Sequence, residues 1–237
     1  MMEEYLRETR MLDYSHKSIQ DLIEKRHWRD LDEFNCIREV YDFIRDEILF
    51  GYNSDDSIPA SKVLSDGYGQ CNTKGTLFMS LLRALNIPCR VHGFTVDKKL
   101  QKGAMTGFLY RKAPNNIFHS WVEVYFIDKW YELEGFIIDK EYLAKLQSLN
   151  KECHGEFWGY GIAVKDLMNV MIDWNKNNTY IQSEGITQDL GVYECPDELL
   201  KEYHQNMSKP AAFIFRNIGR HLMNRNVRNI RNYNINA

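Results

Sequence analysis

Paired cysteines, clustered histidines, long apolar runs and a one-sided charge are all missing from this chain, and each absence narrows what it does. The five cysteines, Cys36, Cys71, Cys89, Cys153 and Cys195, are scattered and show no C-x-x-C spacing. An odd set of this kind fits neither a disulfide framework nor a zinc site. The seven histidines include no H-x-x-x-H pair, so neither a metal nor any other cofactor is assigned. No apolar run approaches the roughly 18–20 residues of a membrane span, so no transmembrane segment is expected. Met1–Arg10, MMEEYLRETR, lacks the apolar core of a secretory signal. The expectation is a soluble, cytoplasmic protein. A formal net charge of −3 gives no global sign of nucleic-acid binding, and nothing bears on oligomeric state.

What is present is ample material for a core: 237 residues, 44% of them apolar and 13% aromatic. That suits one cored domain with appendages. Apolar spacing predicts a helix through Ile19, Leu22 and Ile23, capped by Asp13 or Ser15. A second helix is predicted over 31–50, carrying Ile37, Val40, Tyr41, Ile44 and Ile48 and ending before Gly51. Residues 61–70, SKVLSDGYGQ, are expected to form a glycine-bearing loop. A helix from Cys71 to Leu85 follows, with Leu77, Phe78, Leu81, Leu82 and Leu85 facing inward, and Asn86-Ile87-Pro88 stops it. The period then changes. Arg90–Val96 and His119–Phe126 alternate as strands, and Ile127-Asp128-Lys129 turns into a strand over Trp130–Glu134. Residues 97–118 have no steady period and are read as a long hairpin or a flap. Helices first and antiparallel strands second define an α+β layout. Between 140 and 208 the clearest helix is Asp197–His204, and no role is assigned to that stretch.

Among these elements, three residues have chemical potential together. Cys71 opens a helix, where unpaired backbone N–H groups and the helix dipole favour a thiolate by about 0.3–1 kcal/mol. The same N–H groups suit an oxyanion. His119 starts one strand of the hairpin, and Glu134 ends the other, so a carboxylate can fix the imidazole tautomer and leave the second nitrogen for sulfur.

Residues 66–90, DGYGQCNTKGTLFMSLLRALNIPCR, resemble the nucleophile motif of the transglutaminase-like superfamily, and residues 119–134, HSWVEVYFIDKWYELE, resemble its second motif. The segments Thr9–Ile19 and Ile37–Tyr52 are similar to the helices that precede this core in bacterial members. The resemblance covers about residues 9–140. It implies a papain-like α+β fold, with N-terminal helices packed on an antiparallel sheet and a Cys-His-acid triad on Cys71, His119 and Glu134. The family usually carries aspartate at the third position, so Glu132 and Asp139 stand as competitors to Glu134. Gln70 is a candidate for oxyanion support or for stabilising the turn. The implied activity is cysteine-dependent acyl transfer on a peptide, protein or small amide, by hydrolysis or by amine transfer. A binding module that kept the fold without catalysis is the alternative. Cys89, Trp121, Glu123 and Trp130 are read as packing residues.

The domain is expected to occupy residues 1–208, with an elaboration over 141–208. Residues 209–237 then form a basic tail with six Lys/Arg and no acid, beside a remainder of −9. Phe213, Phe215, Ile218 and Leu222 interleave with its arginines at near-helical spacing. A helix docked on the acidic domain is the favoured reading, and an anionic partner is the other.

Overall fold

The computed structural model describes residues 2–205 and 208–233. The N-terminal half is helical. Helix α1 spans Lys17–Lys25, α2 spans Glu33–Asp46, α3 spans Ala60–Asp66 and α4 spans Cys71–Ala84. Two short parallel strands, β1 (Leu49–Phe50) and β2 (Tyr68–Gly69), clasp the turn that leads into α4. Two expectations are corrected here. The cap of α1 is His16, whose ring nitrogen accepts the Ser18 N–H, whereas Asp13 accepts from the backbone and hydroxyl of Ser61. Residues 60–66 are helix rather than loop. Burial of Ala60 and Val63 against the domain outweighs the weak local signal, and Gly67 ends the turn at φ +69°.

Helix α4 is enclosed from Asn72 to Arg83, not along one face as its pattern suggested. It runs through the centre of the molecule, so even Lys74 and Arg83 are buried and bond backbone carbonyls: Lys74 those of Arg45 and Ile137, Arg83 that of Cys89.

Strand β3 (Cys89–Asp97) leads into the 97–118 segment, which holds a 3-10 turn at Lys98–Gln101 and helix α5 (Gly107–Lys112). Strands β4 (Asn116–Phe126) and β5 (Lys129–Leu133) form the hairpin, with Ile127 and Asp128 both at positive φ in its two-residue turn. After α6 (Lys140–Leu149) come the small hairpin β6 (Phe157–Gly159) and β7 (Ile162–Val164), then β8 (Ile186–Tyr193) and α7 (Pro196–Glu202). The main sheet is antiparallel in the order β5-β4-β3-β8. Thus the 140–208 stretch contributes an edge strand. One face of the sheet receives α4, where Gly75 lets the helix approach Val122; a Cβ there would lie 3.4 Å from a Val122 methyl. The architecture is α+β, as expected.

The tail forms α8 (Lys209–Ile214), a π-helical turn (Phe215–Gly219) and α9 (Arg220–Arg231). Met223 and Val227 are buried against the domain, and α9 packs beside α6. Asn224 bonds both backbone groups of Tyr52, through Oδ1 at 2.7 Å and Nδ2 at 3.0 Å. Arg216 pairs with Asp55, and Arg231 with Asp139. Residues 234–237 lie outside the described residues. No helix among the described residues is long and apolar enough to cross a membrane.

Candidate active site

The turn before Cys71 is built by close packing. Gly69 has no room for a side chain, since a Cβ would meet Thr73 Oγ1 at 2.7 Å. Thr73 in turn accepts the Gln70 N–H at 3.1 Å and donates to Asn53 Oδ1 at 2.6 Å. Gln70 itself accepts from the Asn53 N–H at 2.9 Å and donates to Asp56 at 2.8 Å. Both ends of its side chain therefore anchor the 53–56 loop to the turn. Cys71 emerges as the first residue of α4, partly exposed, with the N–H groups of the first turn free of helical partners.

His119 is fully buried on β4, paired across the ladder with Phe94. Its Nε2 meets Glu134 Oε1 at 2.7 Å. Its Nδ1 is buried without a well-formed hydrogen bond, and the group that bears on the ring besides Glu134 is the Cys71 sulfur. Burial opposes a charge on the imidazole. The nearby Cys71 sulfur and then Glu134 override burial, so His119 is pushed up to about 10. Tyr52 also lies close to Cys71, and its buried hydroxyl donates to Gln101 of the 97–118 segment.

Glu134 stands one residue past the end of β5. Leu133 pairs with Val122, so continued pairing would set Glu134 opposite Trp121; instead the chain leaves the ladder with Glu134 in the right-handed helical region. Its Oε2 accepts the backbone N–H groups of Ile181 and Gln182, at 2.7 and 2.9 Å. Three donors thus hold a fully buried carboxylate, which satisfies a charge that burial would otherwise penalise. The competing acids are engaged elsewhere. Glu132 accepts from Tyr180 and Asn178, and Asp139 caps α6 at the Tyr142 N–H and pairs with Arg231. Among these three acids, Glu134 is the one hydrogen-bonded to His119.

Two contributors carry no mark in the sequence. Residues 179–182 bridge to β5 at Leu133↔Thr179 and supply the N–H pair for Glu134. Asn72, next to the nucleophile, lies 3.7 Å from Cys71 Sγ through Oδ1 and accepts from Ser120, the neighbour of His119, at 2.8 Å. Trp121 packs on Phe94 with centroids 4.0 Å apart. Glu123 joins Arg90 and His92 on the sheet, and Trp130 stacks under Arg90, all in structural contacts. Cys89 is buried beside the Met79 carbonyl and, like Cys71, is a free thiol.

A thiol at a helix start, an imidazole and a carboxylate in sequence constitute the layout of cysteine acyl-transfer sites. Residues 24–135, just under half of the chain, match the model of the transglutaminase-like superfamily, and the chain is similar to that superfamily over this stretch. The matched span holds Cys71, His119 and Glu134. The uncharacterised protein YebA of Bacillus subtilis (strain 168) is 38% identical over 68 residues, 28% of this chain and 9% of that protein. Among solved structures, a proposed cysteine protease from Cytophaga hutchinsonii aligns with a TM-score of 0.47 and 15% identity, over 83% of this chain and 48% of the other. Red sea bream transglutaminase aligns with a TM-score of 0.31 and 16% identity, over 92% of this chain and 31% of the other. The chain spans less than half the length of each of these relatives.

Proposed function

We propose that Cys71, His119 and Glu134 act as a triad for acyl transfer, with hydrolysis of a peptide or other amide as the main reaction. The observation that carries this reading is the 2.7 Å bond from His119 to Glu134, in a ring that the nearby Cys71 sulfur also influences.

In this reading His119 holds its proton between the sulfur and the approaching amide. The Cys71 thiolate adds to the carbonyl carbon, and the C=O electron pair moves to oxygen, facing the N–H groups of the first α4 turn. Collapse breaks the C–N bond. The proton on the imidazole passes to the leaving amine, and a thioester remains on Cys71. Water then gives a proton to neutral His119 and its oxygen to the thioester, releasing acid and restoring the pair. An amine in place of water yields a new amide, which is the transfer branch. Glu134 stays ionised and holds the tautomer. Gln70 supports the turn that presents the sulfur.

Mass-mapped iodoacetamide labelling at pH 5.5 and 8 tests the chemistry before a substrate is known. Fast labelling of Cys71 at the lower pH, slowed by His119→Ala, is the expected result. Cys36 is pushed up to about 11 by burial, and burial also raises Cys89 and Cys195, so those three serve as slow internal references. If Cys71 labels no faster than they do in folded protein, the acyl-transfer reading fails.

A further inference from the structure

The docked tail uses only one side. Phe215, Gly219, Met223 and Val227 turn toward the domain, whereas Phe213, Ile214, Ile218 and Leu222 point to solvent, Phe213 and Ile218 with 69% and 54% of their surface exposed. Scattered apolar side chains on a surface are ordinary, but four along one helical ridge are not. Helix α5 flanks the tail on the side of Gly219. Leu109 lies against Gly219, 3.6 Å from where its Cβ would be, and the neighbouring Phe108 is 62% exposed.

The tail and α5 themselves carry charge of one sign. Residues 209–233 contain Lys209, Arg216, Arg220, Arg225, Arg228 and Arg231 and no acid. Arg216 and Arg231 pair with the domain, but Arg225 and Arg228 are exposed and form no ion pair among the described residues. Helix α5 adds Arg111 and Lys112, with Lys112 over the Phe108 ring.

We propose that the ridge formed by α8, the π-turn and α9, with α5 beside it, docks the protein on an anionic lipid bilayer. A bilayer interface takes up both halves of this surface, phenylalanine, isoleucine and leucine at the acyl boundary and arginine at the headgroups. Nucleic acid matches the arginines but offers nothing to Ile214, Ile218 and Leu222. The docking keeps the helix bound to its own domain, since the inward residues and the Asn224 clasp on Tyr52 lie on the opposite side. The inference is independent of the Cys71 chemistry.

The test is flotation of the full chain with phosphatidylcholine vesicles, with and without roughly 30% phosphatidylserine. Binding is expected to the anionic vesicles only, and to weaken as salt rises. The double variant Ile218→Ser/Leu222→Ser is expected to bind roughly tenfold more weakly, as is Arg225→Glu/Arg228→Glu. All four residues are exposed, so unchanged near-ultraviolet circular dichroism and urea midpoint certify the fold of the variants. Absence of wild-type binding overturns the proposal. So does equal retention of duplex DNA or polyglutamate with the serine variant unaffected, which reduces the ridge to a plain polyanion contact.

Discussion

Glu134 reaches His119 from a position where β-ladder register would set it opposite Trp121, two residues away along β4. The reach depends on the longer glutamate side chain and on the N–H groups of Ile181 and Gln182, which hold its other oxygen. The carboxylate is thereby tied to both sides of a gap, and this has direct consequences for substitution.

Glu134→Gln keeps the shape but turns one donor group toward existing N–H donors. The expected cost is about 1–3 kcal/mol in stability. Cys71 alkylation at pH 5.5 is expected to slow by about tenfold, because a charge that favours the imidazolium is gone. Glu134→Asp, the usual family residue, is one methylene too short to keep all three bonds here and is expected to weaken both readouts as well. Urea midpoints and labelling rates check this, and an aspartate variant equal to wild type refutes the argument from reach.

The His119 imidazole is raised chiefly by Cys71, against burial. In Cys71→Ala that contribution disappears and only Glu134 opposes burial. The His119 pKa is therefore expected to fall from about 10 in the wild type, by an amount visible in imidazole nitrogen shifts. An unchanged titration in the variant means that sulfur and ring are not coupled.

Two buried groups pull the pH dependence of stability in opposite directions. His119 is raised, so its stabilisation is complete below about 6.5 and is lost as pH climbs toward 10. Lys74 is pushed down to about 7 by burial, so the unfolded chain binds its proton more tightly, and stability rises from pH 7 toward the lysine's ordinary value. The two opposed slopes overlap between about pH 7 and 10. Lys74→Met removes the rising one, so stability against pH is expected to slope downward relative to wild type by about one proton over this window. Parallel profiles from urea melts at pH 7.5, 8.5 and 9.5 speak against a neutral Lys74.

The tail is held by two kinds of contact that respond differently. Asn224→Ala orphans the N–H and C=O of Tyr52, and a loss of about 1–3 kcal/mol that salt does not change is expected. Arg216→Ala removes a pair with Asp55 that is open to solvent and is expected to cost less than about 1 kcal/mol, decreasing further in salt. Comparing denaturation at low and high salt separates the two; equal costs contradict the assignment.

Within short windows the sequence was informative because the signals were local. The Leu77–Leu82 pattern and the Asn86-Ile87-Pro88 stop mark α4 to within a residue of its end, Ala84. Alternation from His119 to Phe126 and the turn at Ile127–Asp128 define the hairpin, and with it the closeness of His119 and Glu134. The same logic failed for residues 60–66, where seven residues carry too little periodicity and burial of Val63 decides the conformation.

By itself, then, the sequence determined the helix that begins at Cys71, the strands that carry His119 and lead to Glu134, and the basic character of residues 209–233. Each follows from backbone preference and side-chain spacing over a few turns or one hairpin. Only the tertiary structure decided that Glu134, and not Glu132 or Asp139, meets the imidazole, that Ile181 and Gln182 hold it there, and that the tail clasps Tyr52. Those choices depend on groups 47 or 172 residues apart in the chain, brought together by burial of a common core, and no local pattern encodes such a distance.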